Sequence, residues 1–240
     1  MRNKKFIIQL LVLMSIFSFA NNVFGQKSMY QLSNFKLIDI TTLSQEEYRK
    51  LNYSQNEFAV RVVDGKLEIT KAVYQKKHEL TILGGTLVGT NRGEWGGQLT
   101  FEPERKELEQ QLIKKGNIVS IFEFRHHIYF VEGLAHLSIN EGVLYDVKYE
   151  YDKFVYNKLF DFEDAPEAVT TTDSKILIAG HQNFYVIENG KKQVVFKDMF
   201  WRSLYPNSIA YFNDRQIYVG MRGGIAELNI EQKKVKFYRY

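Results

Sequence analysis

Residues 176–187 read Ile-Leu-Ile-Ala-Gly-His-Gln-Asn-Phe-Tyr-Val-Ile, and residues 217–228 read Ile-Tyr-Val-Gly-Met-Arg-Gly-Gly-Ile-Ala-Glu-Leu. Both join one apolar run that closes on Gly to a second apolar run through a few small or polar residues. The unit has two further copies. Leu87-Val88-Gly89 leads to Gln98-Leu99-Thr100-Phe101, and Ile128-Tyr129-Phe130-Val131-Glu132-Gly133 leads to His136-Leu137-Ser138-Ile139. The glycines fall at 89, 133, 180 and 220, in steps of 44, 47 and 40. The last two copies continue alike, into Lys191–Phe196 and Lys233–Phe237, each a further strand on this reading.

The segments around these units agree. Phe58–Val63 and Ile118–Phe124 are short apolar runs with period-two character, and Asp64-Gly65, Asn189-Gly190 and Asn213-Asp214 are turn signals between runs. Alternation punctuated this way reads as antiparallel strands, so the chain is expected to be all-β. A recurrence of 40–47 residues with about four short strands per unit reads as a small β-propeller. Stacking such sheets about an axis buries both faces of each. A β-sandwich with coincidental spacing is the alternative. Four units occupy residues 78–240, and Phe58–Val63 with Lys66–Thr70 supplies a partial N-terminal unit, so five blades are expected. Two helices compete with this pattern. Ser44-Gln45-Glu46-Glu47 has capping-box spacing ahead of Tyr48 and Leu51. Glu104–Lys115 follows Pro103 and stops at Gly116, but also reads as an outer strand.

A resemblance enters on residues 206–220. Pro206-Asn207-Ser208-Ile209-Ala210 followed by Asp214–Gly220 resembles a blade of the NHL and SMP-30/gluconolactonase-like propellers of bacterial repeat proteins. Ala165-Pro166-Glu167-Ala168-Val169 followed by Ile176–Gly180 is similar. The resemblance implies the propeller architecture. In the lactonase-like members it also implies a divalent metal, with Asn207 as one ligand. Such a site wants carboxylates in the channel, and this chain has Gly220-Met221-Arg222 where an acid is needed. Glu167 is the one carboxylate available, so Asn207 and Glu167 are weak metal candidates and no metal is expected. A metal-dependent propeller hydrolase or lactonase with Ca or Zn, acting on a carbohydrate-derived substrate, is the alternative function.

The N-terminus sets the compartment. Arg2, Lys4 and Lys5 precede a mostly apolar stretch from Phe6 to Ala20, and Val23-Phe24-Gly25 offers short residues for cleavage. Residues 1–25 therefore read as a signal peptide, with 26–240 as one domain, exported to the periplasm or beyond the cell. The apolar run is shorter than the roughly 20 residues of a spanning helix, so a stable membrane anchor is not expected. The chain is formally +4, but the signal carries three bases and no acid. The remainder is +1, which gives no footing for a nucleic-acid partner. The chain has no cysteine, which removes disulfides, thiolate metal sites and lipid attachment at a lipobox. A monomer is expected.

No catalytic motif stands out. The five histidines, His78, His126, His127, His136 and His181, show no metal-ligand spacing. There is no Gly-x-Ser-x-Gly elbow and no P-loop lysine. Gly93-Glu94-Trp95-Gly96-Gly97 joins two strands and opens no helix. What the pattern offers is a surface. The residues following the repeated glycines are Asn91, Arg92, His136, His181, Gln182, Met221 and Arg222. With Trp95, Trp201, Arg202 and Tyr205 they form an Arg- and aromatic-rich set at one end of the propeller axis. Such residues dominate binding hot spots. The expected function is a non-enzymatic binding or scaffold module for a protein or carbohydrate.

Overall fold

The computed structural model describes residues 30–240; the signal-peptide reading of residues 1–25 lies outside them. The described residues are all-β, apart from one α-helix and short 3₁₀ turns. A three-residue strand, β1 (Lys36–Ile38), and helix α1 (Gln45–Asn52) come first. A hairpin follows, β2 (Phe58–Val63) and β3 (Lys66–Lys71). Four larger antiparallel sheets then succeed one another along the chain. The first is β4 (Lys77–Ile82), β5 (Gly85–Asn91), β6 (Gly97–Pro103) and β7 (Gln111–Lys115). The second is β8 (Ile118–Phe124), β9 (His127–His136), β10 (Ile139–Glu150) and β11 (Lys153–Phe162). The third is β12 (Pro166–Thr171), β13 (Lys175–Gly180), β14 (Phe184–Glu188) and β15 (Lys191–Phe196). The last is β16 (Ser208–Asn213), β17 (Gln216–Met221), β18 (Gly224–Asn229) and β19 (Lys234–Arg239), and β1 adds to it as a fifth strand beside β19.

The strand readings are corrected in three places. The run Glu104–Lys115 is not a helix: its first part is a loop, and β7 begins at Gln111. His136–Ile139 is not a strand of its own, because Leu137 and Ser138 turn the chain between β9 and β10. Leu137 takes positive φ there, and its side chain is almost wholly exposed. Gly89 and Gly133 do not end their strands, since β5 runs on to Asn91 and β9 to His136. The capping-box reading holds. Ser44 Oγ accepts the Glu47 N–H at 3.2 Å, and Glu47 Oε2 accepts the Ser44 N–H at 3.1 Å.

Burial explains how the sheets are stacked. Side chains along a strand alternate between faces, and in β13 and β14 both faces are buried. Leu177, Ala179, Phe184 and Val186 enter one core with Ile217, Val219, Ala226 and Leu228 of the last sheet. Ile176, Ile178, Tyr185 and Ile187 enter another with Val131, Leu144 and Phe162 of the second. A third core joins Leu87 and Leu99 to Ile118, Ile121 and Phe130. A fourth joins Ala210, Tyr218 and Ile225 to Phe58, Val60 and Ile69 of the hairpin. Each sheet thus packs on the next in the chain, and the last packs on the hairpin that came first. At about 1.5–3 kcal/mol per buried Leu, Ile or Phe, these interfaces hold the molecule without cross-links.

The repeated glycines serve the same contacts. A Cβ on Gly89 would strike Ile118 of the following sheet, one on Gly133 would strike Pro166, and one on Gly220 would strike the Phe58 carbonyl. Each marks a close approach to the first strand of the neighbouring sheet. Among the described residues no helix is long and apolar enough to cross a membrane.

Candidate functional site

A partly open cavity of about 960 Å³ is lined by the β2–β3 hairpin and by residues of β4, β8 and β12, the first strands of three of the larger sheets. Its wall takes Ala59 and Arg61 from β2, Thr70 from β3, His78 from β4 and Val119 from β8, with Pro166 and Glu167 from β12. The Lys71–Gln75 segment leading from β3 to β4 adds to it, as do Asn91, Gly133, Ala135 and the Tyr205–Asn207 segment before β16 at the end where the chain leaves β5 and β9. Alternation places Ala168 in the core and leaves the adjacent Glu167 to the cavity wall. Pro166 suits the first position of its strand, where no N–H is required.

Glu167 is the most unusual polar group in this wall. Its Oε1 lies 2.8 Å from His181 Nδ1, and both side chains are mostly buried. Its Oε2 is buried without a hydrogen-bond partner. Burial pushes the carboxyl above its ordinary range, against the opposing pull of His181. His181 is placed by the β13–β14 turn, where its N–H donates to the Ala165 carbonyl at 2.8 Å.

Asp164 builds that turn. It is fully buried and accepts the N–H groups of Gln182 and Asn183, the Asn183 side-chain amide at 3.1 Å, and the Tyr185 hydroxyl. Desolvation, reinforced by that carboxylate, pushes the Tyr185 hydroxyl well above the usual phenol range.

Arg222 approaches the site from the β17–β18 turn, but its donors are committed. Its guanidinium lies 2.6 Å from Glu57 Oε1, donates to the Asn52 carbonyl at 2.9 Å and stacks 4.5 Å from the Tyr205 ring centre. It ties α1 and the hairpin to the last sheet and fixes Tyr205, whose positive φ turns it toward His181. Asn207 accepts the Ser208 hydroxyl at 2.8 Å, and that hydroxyl oxygen accepts the Val60 N–H at 2.8 Å. This bond joins β16 to β2.

The structure therefore divides the sequence-derived candidates. Asn91, Tyr205, Asn207 and Glu167 share the cavity, with His181 behind Glu167. Trp201 and Met221 are core residues, not displayed ones. Both are fully buried, and the Trp201 indole N–H donates to the Gly180 carbonyl at 3.2 Å. Trp95 is exposed on the β5–β6 connection but does not line the cavity, and neighbouring Glu94 lies 3.1 Å from His136. Arg92 and Arg202 are exposed, and Gln182 is half-buried; none of the three lines the cavity. Glu57, Ala59, Arg61 and His78 were not singled out by sequence. Glu57, Ala59 and Arg61 depend on the hairpin packing against the last sheet, and His78 on β4 packing beside β8, neither of which leaves a local signal. Burial lowers the His78 imidazole below its ordinary value.

Among the described residues no three His, Cys, Asp or Glu side chains converge as a metal cluster. Asn207 and Glu167 lie on segments of different sheets, and Asn207 Oδ1 is already engaged by Ser208. No family model matches the chain, and no curated protein matches its sequence.

Proposed function

We propose that this chain is an exported, non-enzymatic binding module: a five-bladed β-propeller whose axial cavity takes a carbohydrate. The propeller reading is supported by three cores between sheets consecutive in the chain, by a fourth between the last sheet and the hairpin, and by Gly89, Gly133 and Gly220, each at a close approach between sheets. The hairpin β2–β3 is then a two-stranded first blade, and β1 completes the last. Export to the periplasm or the medium rests on the signal-like residues 1–25. Similarity of residues 206–220 to NHL and gluconolactonase-like blades agrees with the architecture.

The observation that carries the functional reading is the cavity itself. About 960 Å³ is the upper range for a small-molecule site. A stable protein partner instead covers roughly 800 Å² of surface on each side. The aromatic and Arg set expected to recognise a protein or a carbohydrate on one face is dispersed or buried, as Trp201 and Trp95 illustrate. The cavity lining sets Tyr74 and Tyr205 beside the hydrogen-bonding groups of Asn91, Asn207 and Glu167, with Glu57, Arg61, Lys71 and His78 also present. That mix suits a hydroxylated ring.

Residues 26–240 are to be titrated calorimetrically with cello-, chitosan- and oligogalacturonate tetrasaccharides. At least one is expected to bind, and Tyr205→Ala is expected to weaken it about tenfold, the loss of one good contact. Absence of binding by all three, or full retention in Tyr205→Ala, would overturn the reading.

A further inference from the structure

We infer that the cavity selects an acidic saccharide, one whose carboxylates meet hydrogen-bond donors of the hairpin β2–β3 and of Asn91 and Asn207. The inference rests on the carbohydrate reading above. It follows from which polar atoms of the lining are already engaged. Asn91 Oδ1 accepts the Gly93 N–H at 3.0 Å, and Asn207 Oδ1 accepts the Ser208 hydroxyl at 2.8 Å. Both amide oxygens are thus occupied, whereas neither amide nitrogen donates to another group among the described residues. Each such nitrogen carries two N–H donors. Alternation sends Phe58 and Val60 to the core and leaves Arg61 on the other face of β2, in the cavity wall. Arg61 donates from Nη2 to Glu68 at 2.7 Å, and its half-exposed guanidinium keeps further N–H groups for a ligand. Lys71, at the exposed end of β3, has no ion-pair partner among the described residues.

The acidic groups of the wall are withdrawn. Glu57 is neutralised by Arg222 at 2.6 Å. Glu167 has one oxygen bonded to His181 and the other buried, so neither is presented to the cavity. Burial also pushes this carboxyl up toward its uncharged form, which lessens its repulsion of a ligand carboxylate. Arg61 is balanced in charge by Glu68, and burial favours the neutral form of His78, so the net positive charge of the wall comes from Lys71. The wall therefore offers donors in excess of acceptors. A sugar hydroxyl meets them with one neutral oxygen. A carboxylate meets them with two charged oxygens, and hydrogen bonds to an ionised partner are about twice as strong as neutral ones. A ligand ammonium would face Lys71 as a like charge.

The test uses the same three tetrasaccharides, with Asn207→Asp and Lys71→Gln as variants. Wild type is expected to bind oligogalacturonate about tenfold or more tightly than the cello-tetrasaccharide, a gap of one or more charge-assisted contacts. The chitosan tetrasaccharide, which carries ammonium groups, is expected to bind most weakly. Asn207→Asp keeps the oxygen that accepts the Ser208 hydroxyl and replaces the free donor with charge, so the gap is expected to shrink to about threefold or less. Lys71→Gln, at an exposed position that does not endanger the fold, is expected to narrow it about fivefold, the scale of one exposed charge contact. Raising salt from about 0.1 M to about 1 M shortens the Debye length from about 10 Å to about 3 Å and is expected to narrow the gap in wild type as well. Wild type that binds the cello- or chitosan tetrasaccharide as tightly as oligogalacturonate, or a gap unchanged in either variant or at high salt, overturns the inference while leaving carbohydrate binding intact. No binding of any tetrasaccharide by wild type overturns both.

Discussion

At the residue scale the most heavily bonded group is Asp164, which lies behind the site and not in it. Its carboxylate holds the turn that carries His181, and through His181 it fixes Glu167. Removing it would strand two backbone N–H groups, an amide and a phenol in the core. Each buried unsatisfied donor costs about 1–3 kcal/mol, and partial relaxation offsets some of that. Asp164→Ala is expected to lose about 3 kcal/mol, read as a lower urea midpoint with an unchanged slope; a midpoint within error of wild type would contradict this role. Glu167 and Asn207 were legible in the sequence because each sits beside a Pro in a repeated position. Arg222 was legible as a charge at the right end of the molecule but not as a spent one. Its partner Glu57 is 165 residues away, and nothing local announces the pair.

At the element scale the N-terminal segment is the decisive piece. Strand β1 pairs with the C-terminal β19, while Tyr30 bridges to Ile69 of β3, so one short segment touches the hairpin and the last sheet. Tyr30, Phe35, Phe58 and Tyr240 form one aromatic cluster at this junction, with ring centres 4.8–6.3 Å apart. A chain beginning at Asp39 would lose the cluster's Tyr30 and Phe35 and uncover the edge of β19. It is expected to be about 3–5 kcal/mol less stable, the scale of one large aromatic core deletion. Concentration-dependent association by light scattering is expected too, because an open edge recruits other strands. Equal stability and a monomeric profile would contradict the role. A three-residue strand has no periodicity to read, which is why β1 was invisible in sequence. The helix α1 was readable because a capping box is a local contact. Gln111–Lys115 was ambiguous because a five-residue outer strand carries little pattern.

At the scale of the whole molecule, the spacing of Gly89, Gly133, Gly180 and Gly220 announces the repeat, and the structure shows a close approach between sheets at each of them except Gly180. That glycine instead makes room for Asp164 and accepts the Trp201 indole. The sequence could not show which faces meet, because the cores join residues from different repeats. Nor could it show that the hairpin β2–β3 has only two strands, or that Trp201 lies inside. The proposed arrangement is five sheets about one axis, and the proposed ligand a carbohydrate in the space they enclose. Both are tested by a crystal structure of residues 26–240 with the tightest-binding tetrasaccharide. The expected result is five blades with sugar density in the axial cavity against Tyr205. Sheets paired as a two-layer sandwich, or sugar bound on an outer sheet edge, would contradict it.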